Sequence, residues 1–191
     1  MSKRVFIIHG WEGRPDEGWL PWLKNKLEEQ GIEVHMPQMP NTETPKIDEW
    51  IPFIKNLVGE PNEDTYFVGH SMGVQTFLRY IASIDKKVGG ALSVAGFFTL
   101  IPSSLDEEEK EIAKPWLETP IDTEKVKSNS GAITALFSDN DQFVDLENVK
   151  MFEDRLNAKT LTFEKKGHFS EEHGIMEFEP IFEELMAIIN K

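Results

Sequence analysis

The chain has 191 residues, of which 39% are hydrophobic, and this length and composition indicate a single globular domain over residues 1–191. Its 34 acidic residues outnumber the 20 basic ones and give a formal net charge of −14, which argues against binding to nucleic acid or to an anionic membrane. Cysteine is absent, which excludes disulfides, thiolate metal sites and a cysteine nucleophile.

The N-terminus carries Lys3 and Arg4 before an apolar run at 5–8. This run is too short for a secretion signal, and no small-residue cleavage site follows it. No segment approaches the roughly 18 apolar residues that cross a membrane. We therefore expect a cytoplasmic protein.

Short apolar runs alternate with helical patterns along most of the chain. Strands are predicted at residues 5–8, 33–36, 65–68, 88–95, 133–137 and 160–163. Helices are predicted at 17–30, after an N-cap at Asp48, after Ser71, at 146–156, and in a C-terminal segment with Pro180 in its first turn. This alternation predicts a three-layer α/β/α sandwich, in which right-handed crossovers connect the strands of a parallel sheet.

Residues 98–130 interrupt the alternation. Their pattern is irregular, with an acidic block at 106–109 and prolines at 102, 115 and 120. We interpret this segment as a short cap-like excursion above the sheet that contains one or two short helices.

The pentapeptide Gly69–Gly73 has the pattern G-x-S-x-G and lies between a predicted buried strand and a predicted helix. In that context the glycines permit a sharp strand-to-helix turn, which exposes the serine oxygen above the sheet. The helix that follows points its free amides at the position where negative charge develops during acyl transfer. Ser71 is therefore the candidate nucleophile, and the amide of Met72 is a candidate oxyanion donor.

An activated serine needs a base and a carboxylate that orients the base. After the predicted fifth strand, Asp139, Asp141 and Asp145 share one loop, and each is a candidate acid. After the sixth strand comes His168, whereas His173 lies farther on in an acidic segment. The order Ser, Asp, His is that of an α/β-hydrolase.

The chain resembles the small serine hydrolases of the YdeN type within the α/β-hydrolase superfamily, a group that includes the retinoblastoma-binding serine hydrolase. The resemblance covers nearly the whole chain and is carried by VFIIHGW at 5–11, YFVGHSMG at 66–73, SDNDQFV at 138–144 and GHF at 167–169. It implies a six-stranded parallel sheet in the order 2-1-3-4-5-6. The family pattern S-x-x-D-x-x-V-P places the acid at Asp141, although Asp145 stands here where the proline usually lies. The resemblance also implies that the amide of Trp11 is the second oxyanion donor.

Other histidines and tryptophans have structural interpretations. We expect the His9 ring to hold the first loop by a hydrogen bond, and His70 to pack beside the site without transferring protons. His35 and His173 are interpreted as partly exposed polar residues. Trp116 is interpreted as a core or cap residue, with substrate contact as the alternative.

These residues together predict a serine hydrolase that acts on a small ester through an acyl-enzyme. Because the excursion is short, we expect a shallow pocket and short acyl groups. The alternatives are a peptidase or amidase with the same triad, and a non-catalytic protein-binding module. No phosphate-binding glycine loop follows any strand, and the acid loop lacks the glycine and distal glutamate of a calcium site. We therefore expect neither cofactor nor metal; the partner is a small acyl substrate, and no protein partner is indicated.

Overall fold

The computed structural model describes residues 2–191. Its strands are β1 (Arg4–Ile8), β2 (Glu33–His35), β3 (Thr65–His70), β4 (Val88–Val94), β5 (Ser130–Ser138) and β6 (Lys159–Phe163). Its helices are α1 (Leu20–Glu29), α2 (Ile47–Val58), α3 (Met72–Ser83), α4 (Glu107–Glu118), α5 (Thr123–Asn129), α6 (Glu147–Leu156) and α7 (Glu179–Ile189). Among the described residues, no helix has the length and apolar character required to cross a membrane.

The six strands form one sheet in the order β2-β1-β3-β4-β5-β6, and every neighbouring pair is parallel. The predicted fold class and strand order are confirmed. β2 pairs with one edge of β1, whereas β3 pairs with the other edge, so the direction of the strand order reverses at β1. The loops that follow β1 and β3 therefore lie side by side at the switch point of the sheet, which is where open α/β sheets bind their ligands.

The sheet is covered on both faces, because side chains alternate along each strand. In β1, Val5 and Ile7 belong to one core with α1 and α7, whereas Phe6 and Ile8 belong to the opposite core with α2, α3 and α6. All four side chains are fully buried. This two-sided burial explains why the strand sequences are continuously apolar.

Several element boundaries differ from the predicted ones. β3 continues through Gly69 and His70, and β5 begins at Ser130, because both segments pair with β4. The prediction that Asp48 is an N-cap is wrong. Lys46 is the N-cap of α2, and Asp48 lies inside the first turn, where its charge is favourable toward the helix dipole.

Residues 98–130 contain α4 and α5 and one short 3₁₀ turn. A capping box between Asp106 and Glu109 begins α4. The buried Arg79 guanidinium of α3 donates to the carbonyl oxygens of Trp116 (2.7 Å) and Thr119 (2.8 Å), which holds the C-terminal end of α4 against α3. The indole of Trp116 is 1% exposed and donates to Pro45 O, so this tryptophan is a core residue.

Candidate active site

Ser71 occupies the turn between β3 and α3 in a backbone conformation that only a tight turn imposes. Its φ of 52° and ψ of −116° lie outside the regions that non-glycine residues favour. The flanking glycines allow the close approach: a Cβ at Gly73 would lie 2.1 Å from the carbonyl oxygen of Ile8, and one at Gly69 would lie 2.6 Å from Gly73 C. The turn thus presses α3 against β1 and leaves the serine at the carboxyl edge of the sheet.

The two amides that the sequence and the resemblance suggest as oxyanion donors have no competing acceptor. Met72 is the first residue of α3, so its N–H has no partner in the helix. Within residues 2–191 neither the Met72 amide nor the Trp11 amide donates a hydrogen bond. Both residues line the same cavity as Ser71.

Asp141 and His168 form a buried pair, although 27 positions separate them in the chain. His168 Nδ1 lies 2.8 Å from Asp141 Oδ2 and 3.0 Å from Oδ1. The side chain of Asp141 is 2% exposed, and that of His168 is 11% exposed. The amides of Phe143 and Val144 also donate to Asp141 Oδ1. Since a carboxylate only accepts, Nδ1 carries the proton and Nε2 of the neutral ring is a free acceptor.

The other two aspartates of the acid loop bind backbone amides instead. Asp139 Oδ1 accepts from the amide of Lys165 (2.8 Å), and Asp145 Oδ1 accepts from the amide of Glu147 at the start of α6 (2.8 Å). Asp139 thus joins the loop after β5 to the loop after β6, and Asp145 bonds the first amide of α6, next to the N-cap Leu146. Of the three aspartates, only Asp141 contacts His168.

A set of hydrogen bonds that the sequence did not predict joins the acid loop (residues 138–145) to the base loop, which follows β6 and comprises residues 164–172. Three consecutive amides of the base loop donate to three consecutive side chains of the acid loop: Lys165 to Asp139, Lys166 to Ser138 Oγ (2.9 Å) and Gly167 to Asn140 Oδ1 (2.8 Å). Ser138 Oγ in turn donates to Asn140 Oδ1. Three short polar residues directly after a strand are the signal for such side-chain-to-backbone bonds. The contacts hold His168 in register with Asp141.

His70 connects the serine turn to the base loop. Its Nε2 donates to the carbonyl oxygen of His168 at 2.7 Å, and the two rings lie 5.0 Å apart. Burial, and secondarily the adjacent His168, lowers the pKa of His70 from 6.5 to about 3. The ring is therefore neutral at physiological pH and packs beside the site, as the sequence analysis expected.

His9 holds the first loop from both of its nitrogens. Nδ1 donates to Gly10 O at 2.8 Å and Nε2 accepts from the amide of Met39 at 3.0 Å. Burial lowers the pKa of this ring as well. His173 packs elsewhere, against Gly167 and the hydroxyl of Ser170, and does not line either cavity beside Ser71.

Two cavities open on either side of Ser71 and His168. The apolar cavity, of about 140 Å³, has Glu12 and Glu109 at its wall but is lined chiefly by hydrophobic side chains: Met72, Phe97, Leu100, Leu105 and Phe143. The acidic cavity, of about 350 Å³, is lined by four glutamates: Glu12, Glu17, Glu171 and Glu172. Trp11, Glu12 and Phe143 border both cavities. Among residues 2–191, the Ser71 hydroxyl makes no hydrogen bond to His168, although both line these walls.

A family model described as serine hydrolase matches residues 5–187. The chain belongs to the serine hydrolase family. The protein is therefore a hydrolase. Within residues 2–191, no group of three or more His, Cys, Asp or Glu side chains is placed to hold a metal ion.

Individual relatives match over most or all of the chain. YdeN of Bacillus subtilis (strain 168) is 27% identical over 195 residues, which cover 100% of this chain and 98% of YdeN. Its crystal structure matches with a TM-score of 0.91 at 25% identity over 100% of both chains. The serine hydrolase RBBP9 of Rattus norvegicus is 30% identical over 153 residues, which cover 80% of this chain and 78% of RBBP9.

A more distant solved structure shares the fold alone. Est1E from Butyrivibrio proteoclasticus, in a structure with bound ferulic acid, matches with a TM-score of 0.77 at 16% identity, over 98% of this chain and 90% of Est1E. The two proteins therefore share a fold over nearly their whole lengths.

Proposed function

We propose that the protein is a carboxylesterase that hydrolyses small esters with short acyl groups through a Ser71–His168–Asp141 triad. The observation that carries the proposal is the buried Asp141–His168 pair, 2.8 Å apart, at the wall of the cavities that also hold Ser71. A carboxylate that fixes the tautomer of a histidine beside an exposed serine is the arrangement by which serine hydrolases make a nucleophile.

The reaction proceeds in two balanced steps. Nε2 of His168 takes the hydroxyl proton as Ser71 Oγ attacks the acyl carbon; the C–O bond to the alcohol then breaks, and His168 returns the proton to the leaving oxygen. A water molecule attacks the acyl-enzyme, gives its proton to His168, and releases the acid as Ser71 recovers its hydrogen. Asp141 keeps the proton on Nδ1 and stabilises the imidazolium in both steps.

The negative oxygen of each tetrahedral intermediate faces the amides of Met72 and Trp11. These N–H groups are unpaired within the described chain, so they are free to donate without first breaking another bond. The start of α3 adds the positive end of its dipole. Removal of one such donor typically costs about 100- to 1000-fold in turnover.

The size of the apolar cavity supports a short acyl group. At about 140 Å³, the apolar cavity is smaller than the clefts of about 300–1,000 Å³ that enclose drug-sized ligands. The fold is shared with Est1E, an esterase-named protein with ferulic acid in its structure, which supports ester chemistry on this scaffold. Fold similarity by itself does not decide the substrate.

A fluorophosphonate probe tests the mechanism directly. We expect wild type to be labelled once, at Ser71, and Ser71→Ala to remain unlabelled. If wild type is not labelled, or if Ser71→Ala is labelled equally, the nucleophile is wrong. A protein that serves only as a binding module would also fail to react.

Matched substrates then test the bond and the acyl length. We expect kcat/KM for 4-nitrophenyl esters to be highest near butyrate and to fall beyond about six carbons, because longer chains exceed the apolar cavity. Butyryl 4-nitroanilide offers the same acyl and aryl groups through an amide bond. If the anilide is turned over as fast as the ester, the protein is an amidase rather than an esterase.

A further inference from the structure

The acidic cavity beside Ser71 has a charge that ester hydrolysis alone does not require. Glu12, Glu17, Glu171 and Glu172 line a space of about 350 Å³, and within residues 2–191 no lysine or arginine lines it. Arg14 does not line the cavity; it is exposed and pairs with Asp16, although its charge also acts on Glu17 and Glu171. The cavity therefore concentrates negative potential next to the reacting serine.

A hydrogen-bond acceptor of His70 faces the same space. His70 is 9% exposed and lines the cavity. Because Nε2 donates to the carbonyl oxygen of His168, the single proton of the neutral ring lies on Nε2, and Nδ1 is a lone-pair acceptor. Nδ1 accepts no hydrogen bond from residues 2–191 and lies 3.4 Å from the position that a Cβ on Gly10, another wall residue, would occupy. It is therefore available to a donor on a molecule bound in the cavity.

Two of the glutamates interact with neighbouring backbone at this wall. Glu171 Oε2 accepts from the amide of Gly18 at 3.2 Å. Glu17 is partly buried and accepts a hydrogen bond from the backbone of Arg14. Burial raises the pKa of the Glu17 carboxyl; the hydrogen bond and the charge of Arg14 oppose this shift, and the charge of Glu171 adds to it. A bound cation would offset the cost of burying Glu17 beside Glu171.

The position of the cavity assigns it to one side of the ester. The wall includes five consecutive residues of the base loop, His168 to Glu172, whereas the apolar cavity is bordered by Met72. His168 borders both cavities, but residues 169–172, which follow it, line the acidic cavity and not the apolar one. We therefore place the leaving alcohol, which takes its proton from His168, in the acidic cavity and the acyl group in the apolar cavity.

We propose that the acidic cavity recognises a leaving group that carries a protonated amine, whose N–H donates to His70 Nδ1 while its charge faces Glu17 and Glu171. This inference rests on the proposed esterase function and names the substrate class: short-acyl esters of amino alcohols. Charge and hydrogen bond are separate components of the recognition and can be measured separately.

Three butyrate esters of nearly equal shape separate these components at neutral pH. The 2-(dimethylamino)ethyl ester has a positive charge and an N–H, the choline ester has the charge without the N–H, and the 3,3-dimethylbutyl ester has neither. We expect kcat/KM to fall about tenfold from the dimethylaminoethyl ester to the choline ester, because the charge-assisted hydrogen bond is lost. We expect a second fall of about tenfold from the choline ester to the dimethylbutyl ester, because the charge is lost. Equal values for all three esters would overturn the proposal.

Substitutions then assign the selectivity to residues. His70→Gln places an amide N–H where Nε2 donates but removes the acceptor at Nδ1, whereas His70→Asn retains an acceptor there. We expect the ratio of the dimethylaminoethyl ester to the choline ester to approach one in His70→Gln and to be larger in His70→Asn. Glu17→Gln and Glu171→Gln should each lower the ratio of the choline ester to the neutral ester, because each removes one charge from the wall.

Glu124→Gln is the control for loss of charge, because Glu124 pairs with Lys127 on α5 and does not line the cavity. We expect it to leave both ratios within a factor of two of wild type. If Glu124→Gln changes the ratios as much as the cavity variants do, the effect comes from the overall charge of −14 and the proposed site is wrong.

A binding measurement keeps this inference separate from the proposed function. Titration of Ser71→Ala protein with the same three esters, followed by calorimetry, needs no turnover. If the dimethylaminoethyl ester binds most tightly and the dimethylbutyl ester most weakly, the acidic-cavity proposal is supported. This holds even if wild type hydrolyses none of the esters, in which case only the proposed esterase function is wrong. Hydrolysis of all three at equal rates, with equal binding to Ser71→Ala, contradicts the cavity proposal and leaves the esterase function standing.

Discussion

The serine turn and the acid–base loops lie at the same edge of the sheet but are held in different ways. Ser71 is positioned by its own backbone, through a strained φ of 52° and glycines two residues to either side. Asp141 and His168 are positioned by contacts between two loops that are distant in sequence. In these contacts the side chains of Ser138, Asp139 and Asn140 accept hydrogen bonds from the amides of residues 165–167.

The contrast indicates that substitutions in the serine turn and substitutions in the acid and base loops have different consequences. A local turn depends on steric room, so a single added methyl group in it should damage the fold. A loop pair held by several hydrogen bonds should keep its fold when one bond is lost but should lose alignment of its catalytic groups. His70 belongs to the serine turn and bonds to the base loop, so it reports on both.

The largest effect is expected from Asp141→Asn. The amide oxygen can still accept from Phe143 and Val144, so the loop should keep its shape, but His168 loses the partner that fixes its tautomer. We expect kcat for 4-nitrophenyl butyrate to fall about 10⁴-fold, equivalent to about 5.5 kcal/mol. Asp145→Asn, which retains the acceptor for Glu147, is the matched control and should stay within threefold of wild type. An equal loss in both variants would contradict the assignment of the acid.

Gly73→Ala should destabilise the fold by crowding the serine turn. The new Cβ would lie 2.1 Å from the carbonyl oxygen of Ile8, which is backbone and has little freedom to move. We expect a loss of about 3 kcal/mol or more in the free energy of unfolding, measured by urea denaturation. Gly31→Ala is the control: its φ is 74°, yet nothing lies within 4 Å of a Cβ there, so only the conformational cost of about 1–2 kcal/mol applies. Equal losses would mean that strain, and not crowding, defines the turn.

The link through His70 predicts a specific dependence of stability on pH. Burial holds the pKa of His70 at about 3, against 6.5 for the unfolded chain. Above pH 6.5 neither state is protonated; below it the unfolded chain binds a proton that the folded chain does not, so stability falls as pH falls. Between pH 7 and pH 5 this contribution amounts to about 2 kcal/mol.

His70→Gln removes this titration, so the variant should lose about 2 kcal/mol less than wild type between pH 7 and pH 5 in urea denaturation. His9, whose pKa burial also lowers, titrates in both proteins and cancels in the comparison. If wild type and variant lose the same amount, the His70 ring is not held neutral and the proposed orientation of its nitrogens is wrong.

The smallest effect is expected from Asn140→Ala in the acid loop. It leaves the amide of Gly167 without its acceptor, next to His168. We expect about 1 kcal/mol of stability and about tenfold in kcat to be lost, with KM nearly unchanged, because the base shifts while the cavities remain. Asn140→Asp restores an oxygen acceptor and should recover much of the kcat. No rescue would indicate that this hydrogen bond does not position His168.

Much of the fold was predictable because β strands and helices leave local patterns. The parallel sheet with helices on both faces, predicted from continuously apolar strands and periodic helices, was confirmed. The strand order, which the resemblance to YdeN-type hydrolases implied, was confirmed as well. The N-cap at Asp48 was wrong, because Lys46 was free to adopt the extended conformation of a cap without any capping side chain. The roles of Ser71, Asp141 and His168 in catalysis, like the cytoplasmic location, stay predictions.

The sequence by itself determined the serine turn, because a five-residue pattern between an apolar strand and a helix carries its own steric requirements. It narrowed the base to His168 but left the acid among three aspartates, since short-range patterns cannot show which carboxylate faces a ring 27 positions away. Only the tertiary structure paired Asp141 with His168, turned Nδ1 of His70 toward a cavity, and gathered Glu17 and Glu171 from opposite ends of the chain around it. These arrangements depend on how the strands are ordered in the sheet, because that order decides which loops meet.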